Sequence, residues 1–123
     1  MENTELRIGN LIHERYYSIQ LKMHMLEAIK VKDVLTTHVN DIDDNPYNYE
    51  DLRPIPLVEG WMPENNFFED SFISCMYNVG KLNIYFQDGV AWIDILGDSI
   101  EIPFIHTLQN LHFALTSEEL TIN

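Results

Sequence analysis

Between positions 17 and 25 the chain alternates. Tyr17, Ile19, Leu21, Met23 and Met25 are apolar, and Ser18, Gln20, Lys22 and His24 separate them. A period of two puts successive side chains on opposite faces of an extended chain. The segment therefore reads as a strand with one buried face and a wet face bearing Lys22 and His24. A shorter strand at 6–13 precedes it, interrupted by a turn or bulge at Gly9-Asn10. Another follows at 28–32, extended by Val34, Leu35 and Val39, with Thr36 and Thr37 favouring β structure. Residues 40–51 are rich in Asp and Asn and contain Pro46, which reads as a polar loop.

Pro54 and Pro56 flank Ile55 and force an extended path that a central strand cannot contain. Residues 58–62 suit one helical turn, stopped by Pro63. The second half reads as a three-stranded meander at 72–77, 82–86 and 90–96, with turns at 78–80 and at Gln87-Asp88-Gly89. Gly97-Asp98 then leads into Ile100-Glu101-Ile102. Pro103 opens a helix, in which Phe104, Leu108, Leu111 and Leu115 recur at four-three-four spacing as an amphipathic stripe ending near Thr116. Thr121-Ile122 is expected to add an edge strand. The resulting expectation is one domain over 1–123 of the α+β class. It comprises a small SH3-like β unit plus an antiparallel β-meander covered by the C-terminal amphipathic helix.

Composition narrows the partners. The net charge is −13 and it is uneven. Residues 1–32 hold five basic and four acidic residues, whereas 33–123 hold only Arg53 and Lys81 against 16 acids. Binding to a DNA or RNA backbone requires a basic footprint and is excluded on this balance. The excess charge serves as a solubilising surface or as an acidic face for a basic partner. No apolar run approaches the ~20 residues of a membrane helix, and Met1 to Glu5 lack the apolar core of a secretory signal. Cys75 is the single cysteine and has no internal disulfide partner. These features point to a reducing cytoplasm.

Reactive motifs are absent. His13, His24, His38, His106 and His112 form no His-Glu-x-x-His pattern, so no metal site is expected. Asp41, Asp43 and Asn45 match the first oxygen positions of a calcium loop. Pro46 and Leu52 then stand where glycine and glutamate are needed, which leaves a solvated acidic loop. There is no phosphate-binding glycine loop and no serine nucleophile motif. Cys75 falls in an expected strand and reads as structurally buried. Trp61 and Trp92 are core or subunit anchors that can also stack on a planar ligand. Lys22, His24 and Arg53 are the groups available to an anion.

Three stretches together resemble a known family: Leu6-Arg7-Ile8-Gly9-Asn10, then Leu52-Arg53-Pro54-Ile55-Pro56-Leu57 with Trp61, then 105–116 with Glu118-Glu119-Leu120. The chain is similar to small uncharacterised proteins encoded by Bacteroidetes bacteria, their prophages and their phages. These share an LRIGN start, a KPIPLTEEWL middle and an LQNLYFALTGEEL end. Gly60, Pro63, Thr107 and Ser117 depart from that pattern. Ser117, standing where glycine is usual, weakens the helix C-cap. The resemblance implies a setting in mobile elements and supplies no catalytic residue.

The expected function is therefore that of a non-enzymatic phage or prophage binding protein in the host cytoplasm, with no cofactor and no membrane partner. A role against host defence would follow from sequestering a small signalling nucleotide at a homo-oligomer interface. Arg53, Trp61, Lys22, His24 and Trp92 would line that site. The alternatives are an acidic inhibitor that imitates nucleic acid on a basic host protein, and a structural or accessory phage protein.

Overall fold

The computed structural model describes residues 6–120 and residue 122. Of the expected edge strand at Thr121-Ile122, Thr121 lies outside the described residues and Ile122 is in no strand, and the reading of Met1 to Glu5 also lies outside them. The class is α+β, as expected, with one antiparallel sheet of five strands, one of four, and a C-terminal helix. Within the span read as one domain, contacts cluster into two compact units, Met1–Ile55 and Pro56–Asn123. Among the described residues, no helix is long and apolar enough to cross a membrane.

The first unit contains β1 (Leu11–Ser18), β2 (Met23–Val34), β3 (His38–Asp41), β4 (Pro46–Asn48), a 3-10 turn (Tyr49–Asp51) and β5 (Leu52–Arg53). The strand order is β4-β3-β2-β1-β5. Four strands meander and the fifth returns antiparallel to the first, which is the SH3-like arrangement. Alternation in β2 buries Ile29 and Val31 and leaves Lys30 and Lys32 exposed. These residues join Leu6, Ile12, Val39 and Leu52 in one core cluster, flanked by Val34, Tyr47 and Tyr49. A register shift between Val31 and Asp33 bends β2, as a bulge does, so it pairs with β1 along one stretch and with β3 along the next.

The alternation at 17–25 belongs to two strands rather than one. The chain reverses at 19–22, where the Ser18 Oγ accepts the Leu21 N–H at 3.2 Å and Lys22 takes a φ of 53°. The turn contains no Gly, Pro, Asn or Asp, so residue type does not announce it. The expected buried face is lost with it: Ile19, Leu21 and Met23 are all exposed. The Gly9-Asn10 turn is present. Gly9, at φ 94°, donates its N–H to the Val31 carbonyl at 2.7 Å, and Val31 returns a bond to the Asn10 carbonyl at 2.9 Å. The buried Asn10 accepts the Arg7 N–H on its side-chain oxygen at 2.6 Å.

The loop expected at 40–51 is also corrected, because β4 and the 3-10 turn occupy much of it. Asp41 is buried and organises it. Its carboxylate accepts the N–H groups of Asp43 (2.9 Å) and Asn45 (3.0 Å), the Asn45 side-chain amide (3.2 Å) and the Tyr47 hydroxyl (2.8 Å). Burial pushes the Asp41 carboxyl up. The donors from Asn45, Tyr47 and Asp43 overcome that and hold it below its ordinary 3.8. The same burial and bond push the Tyr47 hydroxyl up to about 12. The Asp41 oxygens, first of those that resembled calcium ligands, are thus committed to their own loop.

The second unit contains α1 (Trp61–Glu64), then β6 (Met76–Val79), β7 (Leu82–Gln87), β8 (Val90–Ile95), β9 (Asp98–Glu101) and α2 (Ile105–Thr116). The meander has four strands in sequential order rather than three. Its first strand begins at Met76, not at 72. Asp70 takes the N–H groups of Phe72 (2.9 Å) and Ile73 (3.1 Å) into a local turn that leaves Phe72 exposed. Cys75 falls in that loop at φ 62° and is half-buried rather than enclosed in a strand.

Helix α2 is present, with its buried stripe rotated from expectation. Ile105, Leu108, Gln109 and His112 face inward at three- and four-residue spacing, and Leu115 is exposed. Three polar residues of the helix, His106, Gln109 and His112, are buried, and His112 is tolerated inside because it is bonded there. The His112 Nδ1 donates to the Glu118 carbonyl at 2.8 Å, and its Nε2 accepts the Lys81 N–H at 3.4 Å. Gly80, at φ 58°, makes room for that ring, since a Cβ there would lie 2.3 Å from Nε2.

Two substitutions test this account. Asp41→Ala should cost about 1–3 kcal/mol in urea unfolding at neutral pH, because it strands the Tyr47 hydroxyl and the Asn45 donors. The wild-type contribution is complete above pH 3.8 and declines as pH falls further, toward the depressed folded value. Ser117 closes α2 in the left-handed region at φ 61° and donates its N–H to the Phe113 carbonyl at 2.8 Å. Ser117→Gly should therefore stabilise by about 0.5–1 kcal/mol, read as a raised Tm.

Candidate functional site

The first unit has an open cleft of about 470 Å³ lined by Glu14, Arg15, Tyr16, Tyr17, His24, Glu50, Asp51 and Arg53. Its geometry follows from strand register. Tyr17 lies opposite His24 in the β1–β2 pairing, and His13 lies opposite Arg53 in the β1–β5 pairing. Three stretches, 14–17, His24 and 50–53, therefore meet at one place. The Tyr17 and His24 rings contact edge to face, with centroids 5.4 Å apart. The Arg53 Nη1 donates to the carbonyls of Glu50 (2.6 Å) and Leu52 (2.8 Å), which fixes the guanidinium beside the 3-10 turn. Its remaining N–H groups, and those of Arg15, have no partner among the described residues and can serve a ligand.

Carboxylates temper that positive charge. Glu14 lies directly across the ladder from Glu27. Burial pushes the Glu14 carboxyl above its ordinary 4.5, and the charges of Glu27, Asp51 and Asp41 push it further. His13, next along β1, has a buried Nδ1 with no hydrogen-bond partner, and burial holds its pKa below 6.5. The site therefore offers two guanidinium groups, an imidazole and two phenol rings, against three carboxylates. It can hold and orient a ligand.

No family model, curated protein or solved structure matches this chain.

Of the five residues nominated from sequence, Arg53 and His24 share the cleft. Lys22 lies in the exposed β1–β2 turn, outside the lining residues. Trp61 is in α1 and packs against Phe67, with ring centroids 5.7 Å apart. Trp92 is in β8, opposite Tyr85 and Glu101. Both tryptophans belong to the second unit. Arg15, Tyr16 and Tyr17 were missed. The only sequence signal for them is an Arg-Tyr-Tyr run that precedes the alternating segment.

The second unit holds another polar cluster. Glu59, Glu69 and Cys75 bring two carboxylates and a thiol within 4.8 Å of one another, a donor set compatible with a divalent metal. The structure also shows those groups engaged internally. The Tyr77 hydroxyl donates to Glu59 at 2.8 Å, and the Cys75 N–H donates to Glu69 at 3.2 Å. Burial and those acidic neighbours push Tyr77 up to about 12.

Glu14→Gln should stabilise the chain at pH 7 by about 0.2–0.5 kcal/mol, the low end for relieving a cross-strand like-charge pair that is open to solvent. Because the folded-state pKa of Glu14 is raised, protonation favours the folded state, and the wild type regains this stability as pH falls toward 4.5. Thermal melts of both proteins should therefore differ at pH 7 and converge near pH 4.5.

Proposed function

We propose that this chain is a non-enzymatic binding protein that holds a small nucleotide-like anion in the β1–β2–β5 cleft. The observation that carries this reading is the convergence of Arg15 and Arg53 with Tyr16, Tyr17 and His24 on one open cavity. Guanidinium groups present forked donors suited to phosphate. Phenol and imidazole faces suit a planar base. Glu14, Glu50 and Asp51 in the same wall can accept from sugar hydroxyls and base N–H groups, and they repel a densely charged polyphosphate. The chemistry thus favours a ligand with one diffuse negative charge per phosphate, such as a cyclic nucleotide. In the phage or prophage setting that the shared motifs imply, holding such a signal lowers its free concentration in the host and blunts a defence that depends on it.

A second reading draws on charge. Residues 56–123 contain Lys81 as their one basic residue, against ten acids. Such a surface suits the basic site of a host protein that normally holds nucleic acid.

Calorimetry against a panel of cyclic mono- and dinucleotides tests the first reading. At least one should bind, Arg53→Ala should weaken it about 10- to 100-fold, and chromatography should recover the nucleotide unchanged. A silent panel with correctly folded protein rejects nucleotide holding, and consumption of the nucleotide rejects a purely binding role. Pull-down from host lysate tests the second reading, whose partner should be captured at low salt and lost at high salt.

A further inference from the structure

The strands β1 and β2 pair continuously from Leu11↔Lys30 to Ser18↔Met23. The outer edge of β1 pairs with β5 only at His13 and Glu14, and that of β2 meets β3 only from Val31 onward. Residues 15–30 therefore form a two-stranded arm with both edges open.

Two properties of the arm point to a partner. Its end is apolar and exposed: Ile19 is 84% and Leu21 60% accessible, with Tyr17, Met23 and Leu26 exposed beside them. Its charge is opposite to that of the chain. Residues 15–30 hold Arg15, Lys22 and Lys30 against Glu27 alone, in a protein of net charge −13. Two such arms laid against each other would repel. A complementary surface lies on the meander, where a cleft of about 530 Å³ is lined in part by Met76, Tyr85, Asp94, Leu96 and Leu115, and where the lining cation Lys81 is paired with Glu118 at 3.1 Å. Leu96 is fully accessible there, at a φ of 50°, and Leu115 is exposed on α2. Apolar walls, a carboxylate and an acidic surround match what the arm presents.

We propose that the β1–β2 arm docks into the meander cleft of a second copy of this chain, and that reciprocal exchange of two arms closes a symmetric dimer. Exchange satisfies a geometric need, because a contact made in one direction only would propagate as a filament unless its rotation closed. It also doubles the buried area, since stable interfaces bury roughly 1,200–2,000 Å² in total. The apolar tip supplies affinity, while Arg15, Lys22 and Lys30 steer the arm toward the carboxylates and make the approach salt-sensitive.

Sedimentation velocity of the full chain without nucleotide, at low and at high salt, tests the proposal. Wild type should show a concentration-dependent dimer that weakens with salt. The tip variant Ile19→Asp/Leu21→Asp and the cleft variant Leu96→Asp should each be monomeric. All three positions are exposed, so circular dichroism should match wild type. None lines the Arg15–Arg53 cleft, so this outcome is independent of nucleotide binding. A wild type that stays monomeric at high concentration and low salt overturns the proposal. So does a dimer that survives either variant, which would place the contact elsewhere. Co-sedimentation of monomeric wild type with phosphatidylglycerol vesicles would also overturn it, by assigning the arm to a lipid surface.

Discussion

Ile12 lies opposite Ile29 in the pairing of β1 with β2, and both are buried. A slip of one residue would turn every side chain of one strand to the other face, so burial of this pair fixes the register of the whole hairpin. Much else follows from it. Val31 is placed to bond the Gly9-Asn10 turn. Glu14 is set against Glu27, and Tyr17 against His24. The cleft exists because β5 then joins β1 at His13 and Glu14 and brings Arg53 with it. The hairpin also outruns its own core, since the five-stranded sheet covers only its base and the remainder projects as the arm.

Acidic excess is managed differently at different places. Asp41 is buried and surrounded by donors from its own loop, so its charge stabilises the turn that contains it. Glu14 has a like charge opposite and no compensating donor set, so its carboxyl is pushed toward the neutral form. Most of the other described carboxylates lie on exposed positions of the two units, where water screens them. One composition therefore yields a structural hub, a strained pair and a solvated surface, according to which donors the fold delivers to each.

The proposed roles share one strand pair and remain separable. Arg15, Tyr16, Tyr17 and His24 along the hairpin line the cleft for a small anion, and the apolar tip at Ile19 and Leu21 is the docking end of the arm. Neither proposed role needs a reactive group. The tightly placed groups elsewhere are structural. The His112 ring, held between the Gly80 turn and the Glu118 carbonyl, locks α2 to the β6–β7 hairpin.

Local periodicity and turn chemistry determined much of this protein directly. The α+β class, the Asp88-Gly89 hairpin, the Gly9-Asn10 turn and the terminal helix can each be read from a few neighbouring residues, because backbone preference acts over that range. The alternation at 17–25 was misleading for the same reason. Ile19 to Lys22 carry no turn-forming residue, and an alternating pattern looks the same whether the chain continues or folds back. Local pattern also placed Leu115 on the buried stripe, whereas Leu115 is exposed and His112, bonded to the Glu118 carbonyl and the Lys81 N–H, is buried. Only the tertiary structure decided that Arg15 and Arg53 meet at His24 while Lys22, Trp61 and Trp92 stand elsewhere. Strand register depends on apolar burial summed across segments tens of residues apart, and no local window contains that sum.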